Sequence, residues 1–167
     1  MRREAVKTIR TKSPEQALAA LQRQCARAEK SSGDAMRLMS RWGVDSTHRA
    51  EILERLISDR FIDDRRFAEA YMREKLNLSG WGARKIASSL RTKGVSNVII
   101  EELLTDLDRP SMQKRLADKV ARKARTTKYK DRYDLRGKLI RYALSLGYEY
   151  DIALEVVSQQ IEIEDEY

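Results

Sequence analysis

The sequence predicts an all-α chain of three tandem three-helix repeats forming an elongated, curved array, and three observations carry that expectation. Proline and glycine number only two and seven in 167 residues, so long helices are easy to place and strands are not. A short pattern recurs at Trp42-Gly43-Val44, Lys93-Gly94-Val95 and Leu146-Gly147-Tyr148, with the glycines 51 and 53 residues apart. Apolar positions recur in register around each one. Met36 and Met39, Ala87 and Leu90, and Ile140 and Ala143 lie upstream; Ile52 and Leu53, Leu103 and Leu104, and Val156 and Val157 lie downstream.

The elements follow in order. Ser13-Pro14-Glu15-Gln16 starts the first helix, with an N-cap serine, proline in the first turn and a capping-box glutamine. Leu18, Leu21 and Cys25 form its buried stripe. Helices are expected over 14–29, 32–42 and 46–59, with Asp45 or Ser46 capping the third. The second set runs over 64–77, 80–93 and 97–107. There Asp63 caps a helix whose stripe is Phe67, Tyr71 and Leu78, and Ser96 caps the last. The third set runs over 111–127, 131–146 and 150–162, opened by Ser111 and carrying Leu116, Val120 and Ala124. Each recurring glycine sits where one helix ends, a position that calls for left-handed backbone. The repeats are expected at 13–60, 61–109 and 110–162, the last followed by an acidic tail, 163–167, whose end frays. Repeats of about 50 residues bury little surface alone, so neighbours are expected to share contacts.

Charged residues make up 36% of the chain and the mean hydropathy is -0.65, which implies a thin core under a charged surface. No apolar run approaches the roughly 20 residues of a membrane span, and no apolar stretch follows the basic N-terminus. Cys25 is alone, which excludes an internal disulfide and fits a reducing cytoplasm. The net charge of +8 favours phosphate-bearing or acidic partners. From Lys114 to Arg141 there are twelve Lys/Arg against three Asp/Glu, and from Glu149 onward seven acids and no Lys or Arg.

Catalysis finds little to work with, and neither an enzyme nor a cofactor or metal is expected. His48, the sole histidine, reads as part of a first helical turn, and Cys25 as packing on an apolar face. Gly80-Trp81-Gly82 follows a helix and not a strand, unlike a phosphate loop. Asp63-Asp64 suits the positive end of a helix better than acid–base chemistry, and Asp64 could pair with a basic residue one turn on. Trp42 reads as core, while Trp81, between two glycines, is a candidate for exposure.

The basic residues are the richer signal. Arg115, Lys119, Arg122 and Lys123 fall along one side of a helix, and Arg125, Lys128, Lys130 and Arg132 continue the run among Tyr129 and Tyr133. Such a stripe suits a phosphate backbone and stacked bases, although a solvated helix face explains it equally well. Arg84, Lys85, Arg91 and Lys93 form a second group. No side chain announces base reading, so binding to single- or double-stranded DNA is expected to be weakly sequence-specific.

At Phe61-Ile62-Asp63-Asp64-Arg65-Arg66-Phe67-Ala68, followed by Gly80, Gly82, Ile86, Leu90 and Lys93-Gly94-Val95, the sequence resembles the RecX regulatory proteins of bacteria. The similarity covers about residues 14–160 and is densest in the middle repeat. The resemblance implies tandem three-helix repeats and a modulator that associates with the RecA filament on DNA and limits strand exchange, ATP hydrolysis and co-protease activity. The motif carries over to Asp63, Asp64, Arg66, Phe67, Ala68, Gly80, Gly82, Ile86, Leu90 and Gly94, most of which read as structural. The third repeat lacks an Asp-Asp-x-Arg-Phe equivalent. A monomer with no membrane partner is expected. The rival reading is a helix-turn-helix DNA-binding regulator, weakened by the acidic or neutral character of Val98–Asp108 and Tyr150–Gln160. A scaffold that binds only protein is the third.

Overall fold

A computed structural model describes residues 11–165; the start of the basic N-terminal stretch and the last two residues of the acidic tail lie outside them. Among the described residues the chain is all-α. Its helices are α1 (Pro14–Cys25), α2 (Ser32–Arg41), α3 (Ser46–Ser58), α4 (Asp64–Glu74), α5 (Ala83–Thr92), α6 (Asn97–Thr105), α7 (Arg109–Thr126), α8 (Arg132–Ser145) and α9 (Tyr150–Asp165). A π-helical turn, Lys75–Ser79, continues α4.

The expected caps account for most boundaries. Ser13 and Gln16 exchange backbone and side-chain hydrogen bonds at α1, and Asp45, Asp63 and Ser96 accept the first-turn amides of α3, α4 and α6. Some boundaries differ. The first helix ends at Cys25, four residues early, and α5 begins at Ala83. Asp108, not Ser111, caps α7: its carboxylate accepts the Ser111 amide at 2.8 Å, and Arg109-Pro110 becomes the first turn. The last helix runs on to Asp165, into the stretch expected to be tail. Leu78 is 79% exposed and Leu76 buried, because the π-helical turn rotates the register set by Phe67 and Tyr71.

The described chain divides into two compact units, one of residues up to Ala68 together with Thr92–Val95, the other of Glu69–Arg91 and Ser96 onward. In the first unit Leu21, Met39, Ile52, Leu56 and Ile62 form the core, with Leu18, Cys25, Met36 and Trp42 packed partly buried against it. In the second, α7, α8 and α9 pack on one another through Leu116, Val120, Leu135, Leu139, Tyr148, Val156 and Val157.

The repeating glycines end their helices in left-handed backbone, with φ of 75° at Gly43, 80° at Gly94 and 89° at Gly147. That conformation leaves the carbonyl of the preceding residue pointing out of the helix end, and a donor meets it in every case. Lys12 N donates to Trp42 O at 3.0 Å, Ser31 Oγ to Lys93 O at 2.7 Å, and Gly82 N to Leu146 O at 2.7 Å. Two of these joints are too close for a side chain. A Cβ on Gly33 would stand 2.4 Å from Lys93 O, and one on Gly82 would stand 2.5 Å from the Gly147 carbonyl carbon.

Gly137, inside α8, differs. A Cβ there would meet nothing nearer than the end of the Arg141 side chain at 3.5 Å. Two glycine substitutions therefore have opposite signs. In urea denaturation, Gly33→Ala is expected to cost about 1–3 kcal/mol through overpacking, and Gly137→Ala to gain about 0.5–1 kcal/mol through helix propensity.

Candidate functional site

The motif residues build one of these joints. Asp63 caps its own helix, whereas the Asp64 carboxylate accepts the Ser32 amide at 2.7 Å and so caps the start of α2, 32 residues away. This replaces the expected pairing of Asp64 with a base one turn on. Arg66 donates to Glu29 at 2.6 Å and to the carbonyl of Arg60 at 3.2 Å. Arg60 has a φ of 59°, so the guanidinium secures a left-handed turn that no glycine makes easy. Phe67, Ala68, Ile86 and Leu90 are buried. Gly80 ends the π-helical turn at a φ of 67°, and the Lys119 side chain lies where a Cβ would go.

Asp34, in the first turn of α2, accepts from Arg37 at 2.7 Å and pairs with Lys93 at 3.4 Å. Partial burial works against its ionisation, but the Arg37 hydrogen bond and the Lys93 charge outweigh it and hold the carboxyl below its ordinary 3.8. Ser31, fully buried, accepts from the Asp34 amide while donating to Lys93 O.

The basic residues divide by what holds them. Lys85 donates to Ser145 O at 3.2 Å and lies 4.6 Å from the Trp81 ring centre, which Lys75 approaches at 5.2 Å. Trp81, a candidate for exposure by sequence, is half-buried with two ammonium groups near its ring. Arg91 donates to Asn97 and Arg84 stands 3.9 Å from Glu149. Arg115 donates to Leu76 O at 3.2 Å and to Asn77 at 2.9 Å, which makes it a brace for the π-helical turn. Lys119 is committed across Gly80. Arg122 folds back on Asp118 O and Lys123 lies over the Tyr142 ring, and both remain exposed, as do Lys128 and Lys130. The stripe thus keeps its C-terminal part for solvent. Sequence reading missed these commitments because the acceptors lie up to 60 residues away.

His48 and Cys25 take structural positions. His48 lies exposed in the first turn of α3 and its ring pairs with Asp45, which raises its pKa. Cys25 packs partly buried against the first unit's core, and that burial pushes the thiol up. Among the described residues no group of acids, histidine and cysteine could hold a metal ion, and no helix is long and apolar enough to cross a membrane.

Residues 63–104 match the family model described as RecX, second three-helix domain. A protein of Mycobacterium sp. (strain KMS) named regulatory protein RecX is 34% identical over 123 residues, 71% of this chain and 67% of that one. The chain belongs to the RecX family. A regulatory protein RecX of Clostridium botulinum (strain Eklund 17B / Type B) is 35% identical over 73% of the chain, and the aligned part makes up 58% of that relative's own length. The chain thus spans about three-fifths of the first RecX relatives it matches. The fold agrees with a crystal structure of RecX from Lactobacillus salivarius, with a TM-score of 0.77 at 19% identity over 90% of this chain and 97% of that one. A second RecX crystal structure gives 0.79 at 17% identity over 86% and 72%.

Two outcomes test the reading of the motif as a structural joint. Asp64→Ala is expected to lower stability by about 0.5–2 kcal/mol, the cost of a lost helix cap. The Asp34 carboxyl, with its native pKa depressed, contributes stability above the ordinary carboxylate pKa and loses it as pH falls through the lower native value. An acid titration of stability should therefore flatten in that window in Asp34→Asn.

Proposed function

We propose that this RecX-family chain is a non-enzymatic regulator that binds the RecA filament on DNA and lowers strand exchange, ATP hydrolysis and co-protease activity. Identity of 34–35% to proteins named regulatory protein RecX, over more than two thirds of the chain, is the observation that carries the reading. The division into repeats at 13–60, 61–109 and 110–162 belongs to the same proposal, as do the cytoplasmic setting and the monomeric state.

The exposed bases Arg122, Lys123, Lys128 and Lys130 support contact with the phosphate backbone, an interaction that is salt-dependent and blind to sequence. Regulation follows from differential affinity: a protein that binds one filament state more tightly shifts the population toward it without chemistry of its own.

Titrating the purified chain into RecA strand-exchange and ATPase reactions on single-stranded DNA tests this directly, and unchanged rates at saturation would sink it. Reversing Arg122, Lys123, Lys128 and Lys130 to Glu is expected to weaken DNA or filament association and lower the salt slope by about 1 per lost phosphate contact. Stability should move by less than about 0.5 kcal/mol. Arg115→Glu makes the contrast: it strips Leu76 O of its donor and should cost about 1–3 kcal/mol.

A further inference from the structure

The second unit carries a surface that neither the family motif nor the basic stripe explains. A groove of about 410 Å³ opens between α8 and α9, lined by Tyr133, Arg136, Gly137, Ile140, Arg141 and Tyr150 among others. Tyr133 is 86% and Tyr150 55% exposed, unusual for large rings at the edge of a thin core. Gly137 lies on the groove within the helix, with a negative φ and only the end of the flexible Arg141 side chain, at 3.5 Å, near where a Cβ would stand. Nothing in the chain needs a glycine there, and glycine weakens a helix interior. An approach from outside the chain gives it a purpose.

The groove's charge narrows the visitor. Its two acids are already engaged: Asp131 accepts the Asp134 amide as the N-cap of α8, and Asp134 accepts from Lys138 Nζ at 2.7 Å and from the Lys130 amide at 3.1 Å. Arg136 and Arg141 have no carboxylate partner among the described residues, and both are exposed. Two exposed rings, an apolar floor at Ile140, a glycine flanked only by the movable end of Arg141 and two guanidiniums without a carboxylate form a combination that matches a nucleotide. Base–aromatic stacking and arginine–phosphate contacts are how single strands are held without regard to sequence.

We propose that the α8–α9 groove is a base slot for single-stranded nucleic acid, in which an unpaired base lies over Gly137 against Tyr133 or Tyr150 and Arg136 and Arg141 hold the flanking phosphates. The slot deepens the proposed action on filament-bound DNA, and rests on that reading only for its biological setting.

The test is equilibrium binding of the full chain to labelled oligothymidylate, to the same oligomer with abasic sites, and to oligouridylate. The wild type should bind the base-bearing strands at least tenfold more tightly than the abasic one. The oligouridylate arm distinguishes DNA from RNA as the source of the base. Gly137→Leu, which replaces the glycine with a bulkier and better helix former, should keep or raise the melting temperature while weakening oligothymidylate binding about tenfold. The double variant Tyr133→Ala, Tyr150→Ala should remove most of the preference for base-bearing strands. Equal affinity for the abasic strand overturns the slot, even if RecA inhibition persists and the regulatory reading stands. Base-dependent binding without any effect on RecA leaves the slot standing and removes the regulatory reading. Gly137→Leu that loses RecA association but keeps oligonucleotide affinity also overturns the slot, and makes the groove a protein-docking surface.

Discussion

A carbonyl left pointing out of a helix end needs a donor, and in this chain each recurring turn leaves one such carbonyl, at Trp42, Lys93 and Leu146. The left-handed glycine that follows exposes the oxygen; an amide or hydroxyl from another segment then meets it. At two of the three positions the approach is so close that the opposing residue must be Gly33 or Gly82. Hydrogen bonds of this kind contribute modestly when made and cost more when a buried partner is left alone. They therefore fix which segments may meet, more than how strongly. Asp64, Asp34, Arg37 and Ser31 are arranged around one such carbonyl, and the Phe67 ring lies under the Lys93 ammonium.

A specific family motif can thus serve the joints of the fold. Asp63, Asp64, Arg66 and the glycines are held by the geometry of helix ends, and substitution there acts on assembly of the fold. Surface chemistry is written elsewhere, in side chains that the joints leave untouched. Arg122, Lys123, Lys128 and Lys130 belong to that set, as do Tyr133, Arg136 and Arg141.

Much of the architecture was legible in sequence because it is local. Helix ends at Gly43, Gly94 and Gly147, the capping box at Ser13 and the buried stripe of Leu116, Val120 and Ala124 depend on residues within a few turns of each other. What escaped is non-local. Gly33 reads as an ordinary helix-start residue until Lys93 O is seen beside it, and Asp64 reads as a partner for a base one turn on until Ser32 reaches it. Arg115 and Lys119 fit a basic stripe by spacing, but a carbonyl at Leu76 and a gap at Gly80 claim them. Leu78 was lost to a register shift that no periodicity announces.

The pairing of lysine with tryptophan has an optical corollary. The chain has two tryptophans; Trp42 lies in the first compact unit and Trp81 in the second, each with an ammonium group over its ring. Indole emission responds to a nearby positive charge, so withdrawal of Lys12 or of Lys75 and Lys85 changes the light from one ring only. Replacing either tryptophan with phenylalanine leaves a single indole, and with it a private window on the loosening of one unit at a time.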